Sequence, residues 1–261
     1  MAKRKKKKTF KDYLLTVILL VAIVVFAYSA YQLYSTFSEY KAGEEEYAAI
    51  EEEVITQKEE TQSELVQIQQ NETLQPPIEV DFAALKAVNE DVVGWIYIEA
   101  IGVSYPIVQG TDNEYYLHRT YERTYNFAGS IFVDAEASPD FSDLNTIVYG
   151  HNMKNGSMFA SLLKIVSERA YDTNHYFWIL TPQGNYCYEM FSAYTTAPTS
   201  DTYTVFSGPS QEYNDYLTKM LGQSEIDMEL KSVGPEDKIV TLSTCTNRDD
   251  NRFVVQGKRI Q

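Results

Sequence analysis

Two kinds of apolar run divide this chain: one long run near its start and many short ones further along. Between Leu14 and Tyr31 the sequence contains no charged residue, no proline and no glycine. In a helix that rises 1.5 Å per residue, about 18–20 such residues cross the hydrocarbon core of a bilayer. The run predicts a transmembrane helix over residues 13–34. A cleaved secretory signal is the alternative, with cleavage near Ala27-Tyr28-Ser29, and either interpretation exports the rest of the chain.

A charged, helix-favouring segment follows over residues 35–77. Tyr47, Ile50 and Val54 recur in it at helical spacing. Two blocks of glutamate, at residues 44–46 and 51–53, are expected to keep the segment solvated, and Pro76-Pro77 marks its end. The segment is therefore interpreted as a helical stalk or linker.

From residue 78 onward the apolar runs are short and turn residues separate them, which is typical of strands. Asp81 is a candidate N-cap for a short helix over residues 82–88. Apolar residues at helical spacing predict two further helices, over residues 158–166 and 211–221. The pattern predicts a mainly β domain over residues 78–261, folded as a barrel or a sandwich. The predicted strands cover residues 94–98, 104–108, 130–133, 145–149, 176–181, 185–193, 238–244 and 252–258.

The net charge of -15 hides an uneven distribution. The first 35 residues hold seven basic residues and one acidic residue, whereas the other 226 hold 15 basic and 36 acidic residues. Because the basic residues precede the apolar run, the positive-inside rule predicts a cytoplasmic tail over residues 1–12. The acidic remainder argues against nucleic-acid binding, which requires basic surface to neutralise phosphates. The expected location is the cell membrane, with a single crossing and the β domain outside the cell.

The redox chemistry open to an exported chain depends on its cysteines, and this chain has two. Cys187 lies in the middle of a predicted strand between two tyrosines, and it is interpreted as a buried packing residue. Cys245 ends the apolar strand that begins near Ile239, and a polar segment follows it. A thiol at the end of a strand is held rigidly and stays accessible, and a nucleophile needs both properties. A small core residue is the alternative, since free cysteine is often buried.

A nucleophilic thiol needs a base, because thiolate and not thiol attacks. Of the three histidines, His151 follows the predicted strand at 145–149 and precedes a predicted helix, so it also lies at the end of a strand. His118 and His175 are interpreted as packing or surface residues. Position alone leaves the same alternative open for His151.

Thioester formation also builds negative charge on the attacked carbonyl oxygen, and a nearby cation stabilises that charge. Arg252 begins the strand that follows Cys245 by seven residues, and a hairpin would bring it back beside the thiol. Arginine stays charged and presents several donors. Arg248, inside the presumed loop, is the competing candidate, and a surface position is the alternative for either arginine.

These residues together resemble the signature of the sortases, membrane-anchored enzymes of Gram-positive bacteria. The strand Thr241-Leu242-Ser243-Thr244-Cys245, followed by an arginine-initiated strand, resembles their cysteine motif, and Tyr149-Gly150-His151-Asn152 resembles their histidine motif. The upstream sequence is similar to class B of the family. The similar upstream segments are Val80-Asp81-Phe82, Gly94-Trp95-Ile96, Tyr105 to Gly110, Tyr115-Tyr116-Leu117 and Gly129 to Phe132.

The resemblance implies a fold and a reaction for residues 78–261. The implied fold is an eight-stranded sortase β-barrel with N-terminal helices and a helix in the loop before the penultimate strand. Cys245 would be the nucleophile, His151 the general acid/base, and Arg252 the group that holds substrate and supports the oxyanion. No metal or organic cofactor is implied, and we expect no disulfide between Cys187 and Cys245, since that bond would remove the nucleophile.

The implied partners are surface proteins with a C-terminal sorting signal, cleaved after threonine, and an amine of a peptidoglycan precursor. A pilin lysine is the alternative acceptor. A cysteine endopeptidase that releases its acyl group to water shares the first half-reaction, and a non-enzymatic envelope protein that binds a partner is a more remote alternative.

Overall fold

A computed structural model describes residues 10–58, 74–227, 233–246 and 250–261 of the chain. The chain divides into two compact units, Met1–Ala42 and Gly43–Gln261. The first unit contains the start of helix α1 (Phe10–Val54), and the second unit contains the remaining elements.

Helix α1 satisfies the length and composition of a membrane-crossing helix. It contains an 18-residue window with a mean hydropathy of 2.5, and none of that window is buried within the chain. A helix of the domain core would bury such residues, so the apolar surface is available to another apolar medium. This is the segment in which the sequence predicts a transmembrane helix.

The last part of α1 belongs to the barrel unit, and it is not solvated as the predicted stalk would be. Gly43, Tyr47, Ile50 and Val54 are buried along one face of the helix. Strand β1 (Ile55–Gln57) follows α1 directly and pairs antiparallel with β2 (Ile78–Val80). The compact unit therefore starts at Gly43 and includes part of the segment that the sequence analysis assigned to the stalk.

Eight strands close into the predicted barrel. The two short helices beside it are α2 (Phe82–Val88) and α3 (Lys164–Ser167). The order around the barrel is β10-β8-β7-β3-β4-β5-β6-β9. Closure removes sheet edges, which otherwise expose unpaired backbone groups. The strands are β3 (Val92–Ile98), β4 (Val103–Val108), β5 (Ile131–Val133), β6 (Asn145–Tyr149), β7 (Tyr176–Thr181), β8 (Gly184–Thr196), β9 (Ile239–Cys245) and β10 (Arg252–Arg259).

Local sequence signals placed these elements well. Asp81 caps α2 as predicted, and its side chain accepts hydrogen bonds from the backbone nitrogens of Ala83 and Ala84. Helix α4 (Gln211–Gly222) lies in the connection before the penultimate strand β9, where the resemblance placed a helix. One face of this helix is buried against Phe191 and Val254; it presents Tyr213, Tyr216 and Leu217. The predicted helix over 158–166 is instead a 3₁₀ segment, Phe159–Leu163, followed by the single turn of α3.

Two strand pairings decide where the functional residues lie. Strands β6 and β9 are parallel, with Tyr149 opposite Ser243, and the nitrogen of Gly150 donates to the oxygen of Ser243 at 3.1 Å. Strands β9 and β10 are antiparallel, with Arg252 directly opposite Cys245. Because parallel strands end at the same side of a sheet, the residues after β6 emerge beside the end of β9.

Candidate active site

The three residues that the sequence singled out come together at one end of the barrel. Cys245 is the last residue of β9, and Arg252 is the first residue of β10 and its cross-strand partner. His151 lies two residues beyond Tyr149, at the end of the neighbouring strand β6. All three line one cavity of about 310 Å³. The other lining residues are Asn113, Leu117, Phe132, Tyr149, Gly150, Pro198, Tyr203, Ser243 and Thr244.

His151 is fixed by a hydrogen bond to the backbone. Its Nε2 lies 2.7 Å from the carbonyl oxygen of Leu117. A carbonyl can only accept, so Nε2 carries a hydrogen in this arrangement. The neutral ring then has its lone pair on Nδ1, which is the nitrogen left to take up a proton. The bond sets both the tautomer and the orientation of the imidazole.

Burial and neighbouring charge make His151 a weak base. Burial lowers the pKa of its imidazole from 6.5, and the nearby His118 and Arg252 lower it further, while the hydrogen bond to Leu117 raises it. The ring of His118 stacks on that of His151 with centroids 6.0 Å apart and an angle of 20°. His151 is therefore mostly neutral at neutral pH and can accept a proton, and its imidazolium is a readier acid than an exposed one.

The two cysteines occupy different environments. Cys187 is fully buried, and burial together with Glu189 raises the pKa of its thiol to about 12. Cys245 is partly exposed at the cavity. Both thiols are reduced. Cys245 is therefore the thiol that a molecule in the cavity could reach, whereas Cys187 packs in the barrel wall, as predicted.

The other histidines and the competing arginine of the sequence analysis lie in different places. His175 lies away from the cavity, with Nε2 3.7 Å from a carboxylate oxygen of the buried Glu189. His118 is exposed and is not part of the cavity lining, but it contacts His151 as described. Arg248 lies outside the described residues. In the part of the chain that the structure describes, no group of three or more His, Cys, Asp or Glu side chains is arranged to hold a metal ion.

The sequence pattern assigned no role to the aromatic and carbonyl groups that complete the cavity. Tyr203 and Ser243 share a hydrogen bond of 2.9 Å between their hydroxyls, and the ring of Tyr203 stacks on that of Tyr149. The Tyr149 hydroxyl donates to Asp134 at 3.1 Å, which also accepts from the Asn113 amide. Tyr149 and Ser243 lie within the two motifs that resemble those of sortases. Tyr203, Asp134 and Asn113 are distant from those motifs in sequence, and no local pattern distinguishes them from other polar residues.

Glycine is required at position 150, between strand β6 and His151, because neighbouring side chains pack closely against the backbone there. A β-carbon at this position would lie 2.5 Å from Cδ1 of Ile131 and 2.8 Å from the ring of Phe159. We expect Gly150→Ala to lower the free energy of unfolding by about 1–3 kcal/mol, because overpacking forces neighbours from their positions. Chemical denaturation would measure this loss. Gly184→Ala is the control, since its nearest contact would be 3.7 Å; an equal loss in both variants would contradict the prediction.

Comparison with known proteins agrees with this architecture. The Sortase domain family matches residues 96–260. The sortase B of Listeria monocytogenes is 40% identical over 181 residues, which cover 67% of this chain and 72% of that protein. The structure of sortase B from B. anthracis in complex with AAEK1 is 33% identical, with a TM-score of 0.70 over 86% of this chain and 99% of that one.

A substrate-bound structure is also similar. The Staphylococcus aureus sortase B–substrate complex has a TM-score of 0.70 at 28% identity, and the match covers 86% of this chain and 99% of that chain. The eight-stranded closed barrel, the family match over more than half of the sequence and the relatives above 30% identity agree with one another. The chain therefore belongs to the sortase family of cysteine transpeptidases, and within that family to class B.

Proposed function

We propose that this chain is a membrane-anchored transpeptidase that cleaves a C-terminal sorting signal after threonine and transfers the protein to an amine of a peptidoglycan precursor. The observation that carries the proposal is the convergence of Cys245, His151 and Arg252 on one cavity at the barrel's end. Class B membership supports the reaction type. The similar structure of the Staphylococcus aureus sortase B–substrate complex supports the binding of a sorting-signal substrate in general.

The first half-reaction would form a thioester. The Cys245 sulfur attacks the backbone carbonyl carbon of the threonine, and the thiol proton passes to Nδ1 of His151. The carbon–nitrogen bond then breaks, and His151 returns that proton to the leaving amine. The lowered pKa of His151 keeps the ring neutral, so Nδ1 is open to the thiol proton. It also makes the imidazolium a readier donor to the leaving amine than an exposed one.

Arg252 would stabilise the charge that develops on the carbonyl oxygen. Arg252 is the cross-strand partner of Cys245, so its side chain begins beside the residue that would form the new carbon–sulfur bond. The planar, always charged guanidinium presents several donors to an oxyanion. In the second half-reaction the acceptor amine attacks the thioester carbon and loses a proton to His151. The carbon–sulfur bond then breaks, and His151 passes that proton to the departing Cys245 sulfur.

The proposal includes a location. The lysine-rich residues 1–12 would remain in the cytoplasm, residues 13–34 would cross the membrane, and the barrel would lie outside the cell. Protease added to intact cells should then remove the barrel domain and leave the basic tail protected. Protection of the barrel in intact cells would contradict this orientation.

The test of the proposed function is a ligation assay with the full chain in detergent micelles. A panel of sorting-motif peptides would be incubated with and without a glycine-based amine, and the products followed by mass spectrometry. A ligated product that requires Cys245 supports the proposal. Ligation to a lysine amine alone would favour pilin polymerisation, and cleavage without ligation to either amine would favour an endopeptidase. No Cys245-dependent reaction would contradict enzymatic function.

We expect Arg252→Lys to lower kcat for ligation by about 10²–10³-fold, the usual cost of removing an oxyanion donor. Lysine keeps the charge but loses the planar set of donors. Arg259→Lys is the matched control on the same strand. Arg259 stacks over Tyr186 at 3.6 Å, so its replacement should affect stability and leave kcat unchanged. Equal activity in the two variants would exclude the proposed role of Arg252.

A further inference from the structure

A buried tyrosine ties helix α1 to the segment that precedes the catalytic histidine. Tyr47 lies in the part of α1 that belongs to the barrel unit, and its side chain is 7% exposed. Its hydroxyl donates to the carbonyl oxygen of Gly129 at 2.7 Å and accepts from the nitrogen of Tyr121 at 3.3 Å. One hydroxyl therefore joins two backbone positions, Tyr121 and Gly129, that both follow Leu117 in the chain.

Gly129 in turn lies against the carbonyl of Leu117. Its φ is +59°, and a β-carbon there would be 2.5 Å from the Leu117 oxygen and 2.8 Å from the Tyr116 oxygen. The nitrogen of Ser130 also donates to the Tyr116 oxygen at 3.0 Å. Only glycine permits this approach, so the position of the Gly129 backbone fixes that of the Leu117 carbonyl.

The Leu117 carbonyl is the group that holds His151. Its oxygen lies 2.7 Å from Nε2. Helix α1 also contacts the chain on the other side of His151, because the Asn155 amide donates to a carboxylate oxygen of Glu44 at 2.6 Å. The hydrogen bond from His151 to Leu117 is therefore bracketed by two contacts from the same helix.

We propose that Tyr47 is a positioning residue for His151, acting through Gly129 and the Leu117 carbonyl. This inference rests on the proposed role of His151 in transpeptidation. It makes the helical segment after the predicted membrane span a part of the active-site scaffold. Loss of the Tyr47 hydroxyl frees the Gly129 carbonyl and the Tyr121 nitrogen, and the Leu117 oxygen loses its support.

The consequence for His151 has a definite direction. The hydrogen bond to Leu117 raises the pKa of the imidazole against the opposing effects of burial, His118 and Arg252. Weakening that bond therefore lowers the pKa further and leaves the ring free to turn. The reaction depends on ring position, so kcat should fall while peptide binding, made by other cavity residues, is retained.

The experiment compares Tyr47→Phe with the unchanged full chain in detergent micelles. The chain has three histidines, so labelling them with ¹³C and ¹⁵N allows each ring to be titrated by NMR. We expect the pKa of His151 to fall and its Nε2 proton to exchange faster. In the ligation assay we expect kcat to fall by about 10–10²-fold with little change in KM, as for a displaced catalytic group.

Tyr213→Phe is the matched control. The Tyr213 hydroxyl is also buried and also donates to a backbone carbonyl, that of Leu144, at 2.8 Å. Both variants should lose a similar thermal stability, about 2–4 °C in Tm. Only Tyr47→Phe should move the His151 titration. If Tyr47→Phe lowers Tm but leaves the pKa of His151 and kcat unchanged, the inference is wrong.

The two proposals fail separately. The titration of His151 is read without any substrate, so it tests the link to Tyr47 even if the unchanged chain shows no ligation. Absence of ligation by the unchanged chain would contradict the proposed function alone. An unchanged titration in Tyr47→Phe, with normal ligation by the unchanged chain, would contradict the positioning role alone.

Discussion

Cys245→Ala should abolish detectable ligation, with a loss of roughly 10⁴-fold or more. Alanine removes the sulfur that would form the proposed thioester, and it should leave the barrel in place because Cys245 ends a strand and is only partly buried. Mass spectrometry provides a second measurement. The unchanged chain incubated with peptide alone should gain the mass of the acyl group, and the variant should not.

Cys187→Ala controls for loss of a thiol. Cys187 is buried away from the cavity, so this variant should retain ligation while its unfolding free energy falls by about 1 kcal/mol. Alkylation with iodoacetamide should modify Cys245 and spare Cys187, whose thiol is buried with a raised pKa. If Cys187→Ala abolished ligation, or Cys245→Ala retained it, the assignment of the nucleophile would be wrong.

His151→Gln should lower kcat by about 10²–10⁴-fold, the contribution of a positioned general acid and base. Glutamine can still donate a hydrogen bond to the Leu117 carbonyl, but it cannot carry a proton between the thiol and the leaving amine. His175→Gln is the control, since His175 lies beside Glu189 and not in the cavity. Comparable losses in both variants would point to a general structural effect and contradict the proposed role.

The same variant should change the dependence of stability on pH. Burial lowers the pKa of His151 in the folded chain below 6.5, its ordinary value, so the unfolded chain binds more protons between those two values. The stability from a neutral His151 is complete above pH 6.5 and is lost as the pH falls toward the folded value. Chemical denaturation at pH 7.5 and 5.5 should show a smaller decline in His151→Gln than in the unchanged chain.

Local pattern was sufficient for most of the secondary structure. All eight barrel strands lie where alternating and continuous apolar runs predicted them, and β6 and β7 have the predicted bounds. The N-cap at Asp81 and the helix over Phe82–Val88 follow from side-chain chemistry within one turn. Such signals involve neighbours along the chain, so they can be read without knowledge of the fold. The 3₁₀ geometry at Phe159–Leu163 could not, because helical spacing does not distinguish the two helix types.

Residue chemistry and order along the chain also singled out Cys245, His151 and Arg252, and the resemblance to sortases gave each a role. The antiparallel pairing of Arg252 with Cys245 is a local hairpin relation, so it could be anticipated. The parallel pairing of β6 with β9 joins strands separated by about 90 residues, and no local signal in either strand specifies it. The cavity wall formed by Tyr203 and Tyr149 depends on that pairing as well.

The apolar span, the strand positions and the three reactive residue types can all be inferred from the amino-acid sequence, because each depends on composition and periodicity within a short window. The hydrogen bonding that holds His151, by contrast, depends on the tertiary fold. The Leu117 carbonyl, the glycine beside it and the Tyr47 hydroxyl meet through contacts between distant segments, and a backbone carbonyl has no signature in sequence. For the same reason the packing of residues 43–54 on the barrel unit could not be read from a pattern that also suits a solvated helix.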